Sequence, residues 1–183
     1  MESAENFSPR PSIPYNVEMI YWVETELKGR VGTSGAPAGG DDLPGEIAEF
    51  ANEGVNVLAS MLAFSEVGRL QLESENELCR RHSIDFHHLP ITDHGVPEMM
   101  GPAKNLVMQL AGSVNSGASV VIHCFAGIGR SSLVAALTLA TAGIPIEQCF
   151  ALISEARGFT VPETKRQEVW FRSFLEKYPP QTA

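Results

Sequence analysis

Cysteine is scarce in this chain. Its 183 residues include three cysteines, Cys79, Cys124 and Cys149, which lie far apart and form no CxxC pair. An odd number of widely separated cysteines favours a protein of a reducing compartment over a secreted protein stabilised by disulfides. At least one of the three is therefore free for a role other than cross-linking.

Basic residues and long apolar runs are also lacking. Lysine and arginine total 13 against 22 acidic residues, which gives a net charge of −9. This balance argues against nucleic acid or an anionic membrane as the main partner. No apolar run is long enough to cross a bilayer, and residues 1–10 lack the apolar core of a signal peptide. We therefore expect a cytoplasmic protein.

The histidines give no metal-binding pattern. His87 and His88 are adjacent, so they point to opposite sides of a strand, and neither HxH nor HExxH spacing occurs around His82 or His94. We expect neither a metal nor another cofactor.

The chain length suits a single α/β unit with a sizeable core. Residues 1–16 are polar and contain Pro9, Pro11 and Pro14, which predicts an extended arm. A single domain is predicted over residues 17–178, and residues 179–183 form a short tail.

Apolar patterning within the domain alternates between strand and helix. Strands are predicted over residues 17–23, 27–31, 55–61, 85–89 and 120–122, and helices over residues 43–52, 72–81, 98–115, 133–142 and 146–156, with a last helix through Trp170 and Phe174. This alternation implies right-handed crossovers and a mostly parallel sheet with helices on both faces. Ligands bind such sheets at the carboxyl ends of the strands.

The most informative stretch runs from His123 to Ser132, HCFAGIGRSS, between a β-branched strand and an apolar helix. Gly127 and Gly129 allow a tight bend whose N–H groups point into one concavity, and the helix adds its positive end. Arg130 can grip two oxygens of a phosphoryl group. A cysteine at the rim of such a cradle has its thiolate favoured, so Cys124 is a candidate nucleophile. The alternative is a buried cysteine on a core turn.

These residues fit the pattern His-Cys-x5-Arg-Ser/Thr, and here the sequence resembles the cysteine-dependent protein phosphatases, most closely their compact dual-specificity branch. The resemblance implies a phosphotyrosine-phosphatase-like fold. It also implies that the phosphate is bound by the backbone of the loop and by its arginine, at Phe125, Ala126, Gly127, Ile128, Gly129 and Arg130.

Two neighbours of the loop have supporting roles in this reading. Ser131 caps the following helix by default, and the resemblance adds a hydrogen bond to the thiolate as it leaves the phosphocysteine. His123 precedes the nucleophile and is expected to hydrogen-bond within the loop and stiffen it.

A general acid is expected on the loop after the fourth strand. Asp93 lies there beside Gly95 and Pro97, and a carboxylic acid on a mobile loop can protonate a leaving oxygen and later accept a proton from water. Its position is similar to that of the acid loop in the resembled family. The alternative is that Asp93 only forms a turn.

Gln167 opens the last helix after Arg157 and a Pro-containing turn. The resemblance implies that this glutamine reaches the active site and orients the hydrolytic water. A surface position on the helix is the equal alternative, because glutamine is common there.

Together these residues predict a metal-independent phosphate monoester hydrolase that forms a cysteinyl-phosphate intermediate. Lipid-directed members of the resembled family tend to place lysines in the cradle, whereas this loop has Phe125, Ala126 and Ile128. The expected partners are therefore phosphotyrosine and phosphoserine or phosphothreonine proteins or peptides, with inorganic phosphate or another oxyanion in the site. Two alternatives remain open: a phosphate-binding module without turnover, and a sulfur-transfer enzyme that uses the same cysteine.

Overall fold

The structure, a computed structural model, describes residues 19–180. The predicted arm over residues 1–16, residues 17–18 of the predicted first strand and the tail end over residues 181–183 lie outside the described residues. The single-domain boundaries stay a prediction. The strands are β1 (Tyr21–Val23), β2 (Arg30–Ser34), β3 (Val57–Ser60), β4 (Asp85–His88) and β5 (Ser119–His123). The helices are α1 (Leu43–Asn52), α2 (Phe64–Arg69), α3 (Glu75–Arg81), α4 (Met100–Asn115), α5 (Arg130–Ala142), α6 (Ile146–Arg157) and α7 (Lys165–Lys177).

The five strands form one sheet in the order β1-β2-β5-β3-β4. β1 pairs antiparallel with β2, and every other pair is parallel. The strand that carries the nucleophile candidate, β5, is central, with Ile122 opposite Thr33 on one side and Ala59 on the other. The predicted fold class, a mostly parallel sheet with flanking helices, is confirmed.

Side-chain alternation in the central strands builds a core on each face of the sheet. On one face Val120 and Ile122 of β5 join the cluster formed with α4, α5, α6 and α7. On the other face Val121 joins the cluster formed with α1 and α3. Nearly all of α5 is buried, which agrees with its apolar sequence.

Several element boundaries differ from the sequence predictions, and one helix was not predicted. β2 runs from Arg30 to Ser34 rather than over residues 27–31, because its pairing with β5 continues through Gly32, Thr33 and Ser34. The helix α3 begins at Glu75 rather than at residue 72. The helix α2 was not predicted, since its six residues are too few for an apolar stripe and Phe64 is 73% exposed.

This topology places two loops at the same edge of the sheet. The loop after β5 carries Cys124, and the loop after β4 carries Asp93. Both leave the carboxyl ends of parallel strands, where α/β folds bind ligands. Within residues 19–180, no helix combines the length and apolarity that a bilayer-spanning segment requires.

Candidate active site

Cys124 lies directly after β5 and ahead of the first turn of α5. Its side chain is almost fully enclosed, at 3% exposed. The sulfur lies 3.3 Å from the hydroxyl oxygen of Ser131 in the first turn of α5. This is the contact expected for Ser131 if its hydroxyl is to stabilise a departing thiolate.

The loop from residue 125 to residue 129 is folded tightly against its neighbours. Gly127 has φ +71, and a Cβ added there would lie 2.5 Å from the Ser34 carbonyl oxygen, so both the conformation and the close approach require glycine. The Ala36 N–H donates to the Phe125 carbonyl at 3.2 Å. The Arg157 guanidinium donates to the Ala126 carbonyl at 3.2 Å. Because the Phe125 and Ala126 carbonyls bond partners outside the loop, the N–H groups of the same peptides are free to point into the concavity of the loop.

A hollow of about 150 Å³ opens beside the sulfur. It is lined by Asp93, His94, Cys124, Phe125, Ala126, Gly129, Arg130 and Glu163. Its volume exceeds the roughly 30 Å³ share of a liquid water molecule several-fold, which leaves space for a tetrahedral oxyanion. The start of α5 faces the same region and adds the positive end of a 13-residue helix.

Arg130 is held by a buried carboxylate. Its two terminal nitrogens bond Glu66 of α2, Nη1 to Oε2 at 2.5 Å and Nη2 to Oε1 at 3.0 Å. Nη1 also donates to the Ile91 carbonyl at 2.9 Å. The side chains of Arg130 and Glu66 are 2% and 10% exposed. This two-point contact fixes the plane of the guanidinium beside the hollow.

The two partners shift each other's titration. Burial alone would raise the pKa of Glu66, but the hydrogen bonds from Arg130 and from the Ala63 N–H outweigh burial and lower it. Burial alone would lower the pKa of Arg130, but its bond to Glu66 and the nearby Cys124 and Asp93 raise it. Both groups therefore stay charged across the neutral range.

Asp93 lies at the mouth of the hollow and is 59% exposed on its side chain. Its Oδ1 lies 3.0 Å from Nη2 of Arg130 and accepts the His94 N–H at 3.1 Å. The structure thus brings Asp93 to the predicted site, where its carboxylate contacts the Arg130 guanidinium that a phosphoryl group would also contact. The local turn contact of the alternative reading is present as well.

His123 is fully buried and faces α3 rather than the loop. Its Nε2 lies 3.0 Å from Oε1 of Glu75, whose side chain is 3% exposed. The contact links the end of β5, immediately before the nucleophile candidate, to the first turn of α3. The contact of His123 is thus with α3, and not within the loop as the sequence predicted.

Gln167 is fully buried, not on the surface of α7. Its side-chain oxygen accepts the Thr164 N–H at 3.1 Å, while its side-chain nitrogen donates to the Gly95 carbonyl at 3.1 Å. A Cβ added at Gly129 would lie 2.8 Å from that nitrogen, so the amide lies against the cradle. Gln167 therefore joins α7 to the loop of Asp93, within reach of the hollow.

Sequence reasoning missed three side chains that shape the site: Glu66, Arg157 in its contact with the loop, and Glu163. None belongs to a motif with fixed spacing from Cys124. Chemistry gives one general signal, since a buried arginine requires a buried carboxylate, but it does not indicate which acidic residue supplies it. Glu66 satisfies that requirement from a helix that the sequence did not indicate.

The other two cysteines have different surroundings. Burial, with a smaller contribution from Glu75, raises the pKa of Cys79 to about 12, and burial with Glu147 raises the pKa of Cys149 to about 12. All three cysteines are free. In the part of the chain that the structure describes, no three histidine, cysteine or acidic side chains are grouped as metal ligands.

Comparison with known proteins gives both a sequence family and a fold. Residues 43–149, more than half of the chain, match the family model of cyclin-dependent kinase inhibitor 3. The rat protein named cyclin-dependent kinase inhibitor 3 is 27% identical over 131 residues, which is 70% of this chain and 61% of that protein. The chain thus spans about three-fifths of the length of this relative.

Two solved structures show the same fold. Kinase associated phosphatase (KAP), crystallised with its catalytic site cysteine replaced by serine, superposes with a TM-score of 0.74 at 21% identity, covering 86% of this chain and 94% of that one. PTPMT1 in complex with PI(5)P superposes with a TM-score of 0.70 at 17% identity, covering 87% and 96%.

The buried pair of Glu66 and Arg130 gives a stability prediction. The variant Glu66→Gln leaves a buried guanidinium without its carboxylate, so the free energy of unfolding at neutral pH should fall by about 3 kcal/mol. Because the pKa of Glu66 is lowered in the folded state, its contribution is present above the usual glutamate pKa and is lost as pH falls through the folded value. Denaturant unfolding over an acid-to-neutral pH series measures the difference.

Glu77→Gln is the matched control for this experiment. Glu77 also contacts two arginines, Arg80 and Arg81, but on the exposed surface of α3. It should change the free energy of unfolding only slightly. Equal losses in the two variants, or a Glu66→Gln loss that does not shrink in acid, would contradict the importance of the buried pair.

Proposed function

Because the chain belongs to the cyclin-dependent kinase inhibitor 3 family, in the compact dual-specificity branch of the cysteine-dependent phosphatases, we propose that it hydrolyses phosphate monoesters on proteins through a cysteinyl-phosphate intermediate. The observation that carries the proposal is the hollow itself. A sulfur, a fixed guanidinium, a helix start and a carboxylic acid candidate line one space with the volume for a phosphoryl group.

The first chemical step forms a sulfur–phosphorus bond. The Cys124 thiolate attacks phosphorus while Arg130 and the loop N–H groups hold the non-bridging oxygens. The bond between phosphorus and the leaving oxygen breaks, and protonated Asp93 gives its proton to that oxygen. The products of this step are the free alcohol or phenol and phosphocysteine.

The second step breaks the sulfur–phosphorus bond. Water attacks phosphorus, and the Asp93 carboxylate takes the proton of that water. The electron pair returns to sulfur, where the Ser131 hydroxyl at 3.3 Å stabilises the thiolate. We propose that Gln167, buried between Gly95 and the cradle, orients the water. A reducing compartment, which the scattered cysteines favour, keeps Cys124 competent for this cycle.

A protein or peptide substrate is supported by a second cavity next to the hollow. It has a volume of about 680 Å³ and shares Phe125 and Ala126 with the hollow. Tyr21, Phe50 and Arg157 also line it, so it offers both apolar and polar surface to residues that flank a phosphorylated side chain. We propose that both phosphotyrosine and phosphoserine or phosphothreonine enter the hollow.

An inositol phospholipid is the less favoured substrate. PTPMT1 was crystallised with PI(5)P, yet the loop of the present chain has no lysine between Cys124 and Arg130. The side chains exposed there are those of Phe125 and Ala126. A multiply charged headgroup would find only one guanidinium, Arg130, in the hollow.

The variant Cys124→Ser tests the nucleophile. Phosphate release from phosphotyrosine and phosphothreonine peptides should fall to background, because a serine hydroxyl in this cradle is a far weaker nucleophile than a thiolate. Phosphopeptide binding, measured by calorimetry, should persist because the cradle is intact. Cys149→Ser is the control, since a hydroxyl can replace the thiol contact to the Pro145 carbonyl, and it should keep full activity.

Other outcomes of that experiment select other functions. Stoichiometric peptide binding by the unsubstituted protein without any phosphate release would indicate a phosphate-binding module. Sulfur transfer from thiosulfate without action on phosphate esters would indicate the sulfur-transfer enzyme. Phosphate release by Cys124→Ser at the unsubstituted rate would remove Cys124 from its role.

The variant Asp93→Asn tests the general acid through leaving-group dependence. Phenyl phosphate needs a proton at its leaving oxygen, whereas the p-nitrophenolate ion leaves without one. The variant should therefore lose about 10²-fold in kcat/KM, which reports only the first chemical step, on phenyl phosphate and far less on p-nitrophenyl phosphate. Steady-state kinetics on the two esters measures this, and equal losses on both would reject the assignment.

A further inference from the structure

His94 lies between two carboxylates at the mouth of the hollow. Its Nε2 is 3.5 Å from Oδ2 of Asp93, and its Nδ1 is 3.2 Å from Oε2 of Glu163. All three side chains line the hollow that contains Cys124 and Arg130. Both ring nitrogens can donate at once only when the imidazole carries both protons. His94 lies within contact distance of both carboxylates, one at each ring nitrogen, and so forms a bridge between them.

Glu163 is a fixed support for this bridge. A Cβ added at Gly129 would lie 2.7 Å from Oε2 of Glu163, so the carboxylate lies against the cradle. The next residue, Thr164, caps α7 by accepting the Gln167 N–H at 3.2 Å. Gln167 in turn bonds the Gly95 carbonyl. The segment before α7 is thus joined to the Asp93 loop at two points.

The backbone at His94 is adapted to this position. Its φ of +55 lies in the left-handed region, which a non-glycine residue adopts at a cost. The turn closes with a hydrogen bond from the Gly95 N–H to the Thr92 carbonyl at 2.8 Å. This conformation turns the imidazole toward Glu163, as the 3.2 Å contact shows.

Asp93 contacts the same arginine that a phosphoryl group must contact, and the bridge through His94 offers Asp93 other contacts. Oδ1 of Asp93 lies 3.0 Å from Arg130, the guanidinium that a phosphoryl group must contact. A phosphoryl group that accepts from Nη2 of Arg130 competes with Asp93 for that nitrogen and displaces it, because the phosphoryl group offers more oxygens and more charge. After that exchange, two contacts hold the exposed carboxylate, the His94 N–H and the His94 imidazole.

We propose that His94, oriented by Glu163, is a positioning residue that keeps Asp93 over the leaving oxygen when the phosphoryl group takes Arg130. This inference rests on the phosphatase function proposed above. His94 forms no bond to substrate and transfers no proton to it. Its contribution is to hold the acid within reach, where small displacements are costly to the rate.

The test uses two variants that remove the bridge in different ways. His94→Asn keeps a residue that tolerates the left-handed backbone but is too short to bridge both carboxylates. Glu163→Gln keeps the shape of the support and removes its charge. In each, kcat/KM, which reports only the first chemical step, should fall by about tenfold on phenyl phosphate and by less than about twofold on p-nitrophenyl phosphate.

His87→Ala is the matched control. His87 also contacts a carboxylate, Asp85 at 3.1 Å, but it lies on β4 and does not line the hollow. This variant should leave kcat/KM unchanged on phenyl phosphate and on p-nitrophenyl phosphate. Thermal melting of each variant checks folding; should His94→Asn fail to fold, Glu163→Gln tests the bridge alone.

The outcomes separate this proposal from the function on which it rests. Equal losses on the two esters, or no loss in a folded variant, would overturn the positioning role while Cys124 and Asp93 keep theirs. A selective loss in Glu163→Gln as large as that of Asp93→Asn, with none in His94→Asn, would make Glu163 the acid and also overturn it. Inactivity of the unsubstituted protein on both esters would instead refute the proposed function.

Discussion

The site depends first on the buried pair of Arg130 and Glu66. An arginine that is 2% exposed needs a carboxylate, and Glu66 supplies one through two nearly parallel contacts. The pair joins the first residue of α5 to α2. Because the guanidinium is fixed before any ligand arrives, the ordering cost of an anion site has already been met in folding.

The same fixed guanidinium explains the arrangement at the mouth. It lies 3.0 Å from Asp93, so in the proposed mechanism Asp93 and the incoming phosphoryl group compete for one cation. Gln167 of α7 and Glu163 just before it contact the loop of Asp93, and in the proposed positioning role these contacts hold that loop during the competition. The loop after β4 and the start of α7 therefore act as one wall of the hollow.

The sequence predicted those parts of the site that are local. The loop from Cys124 to Arg130 could be identified because glycine, cysteine and arginine occur at fixed spacing between an apolar strand and an apolar helix. Helix α1 was predicted at its observed bounds, since two aspartates precede it and Gly54 follows. Glu66, Glu75 and Glu163 could not be identified, because tertiary packing of separate elements, and no repeat or spacing, brings them to Arg130, His123 and His94.

The central claim is that phosphorus is bonded to the sulfur of Cys124 during turnover. The most direct measurement is rapid acid quench of the protein with a phosphate monoester, followed by peptide mass mapping. The account predicts one added phosphoryl group on the peptide that contains Cys124, formed and lost at rates compatible with kcat. Turnover with no phosphoryl group on that peptide, or with the group on another residue, would contradict it.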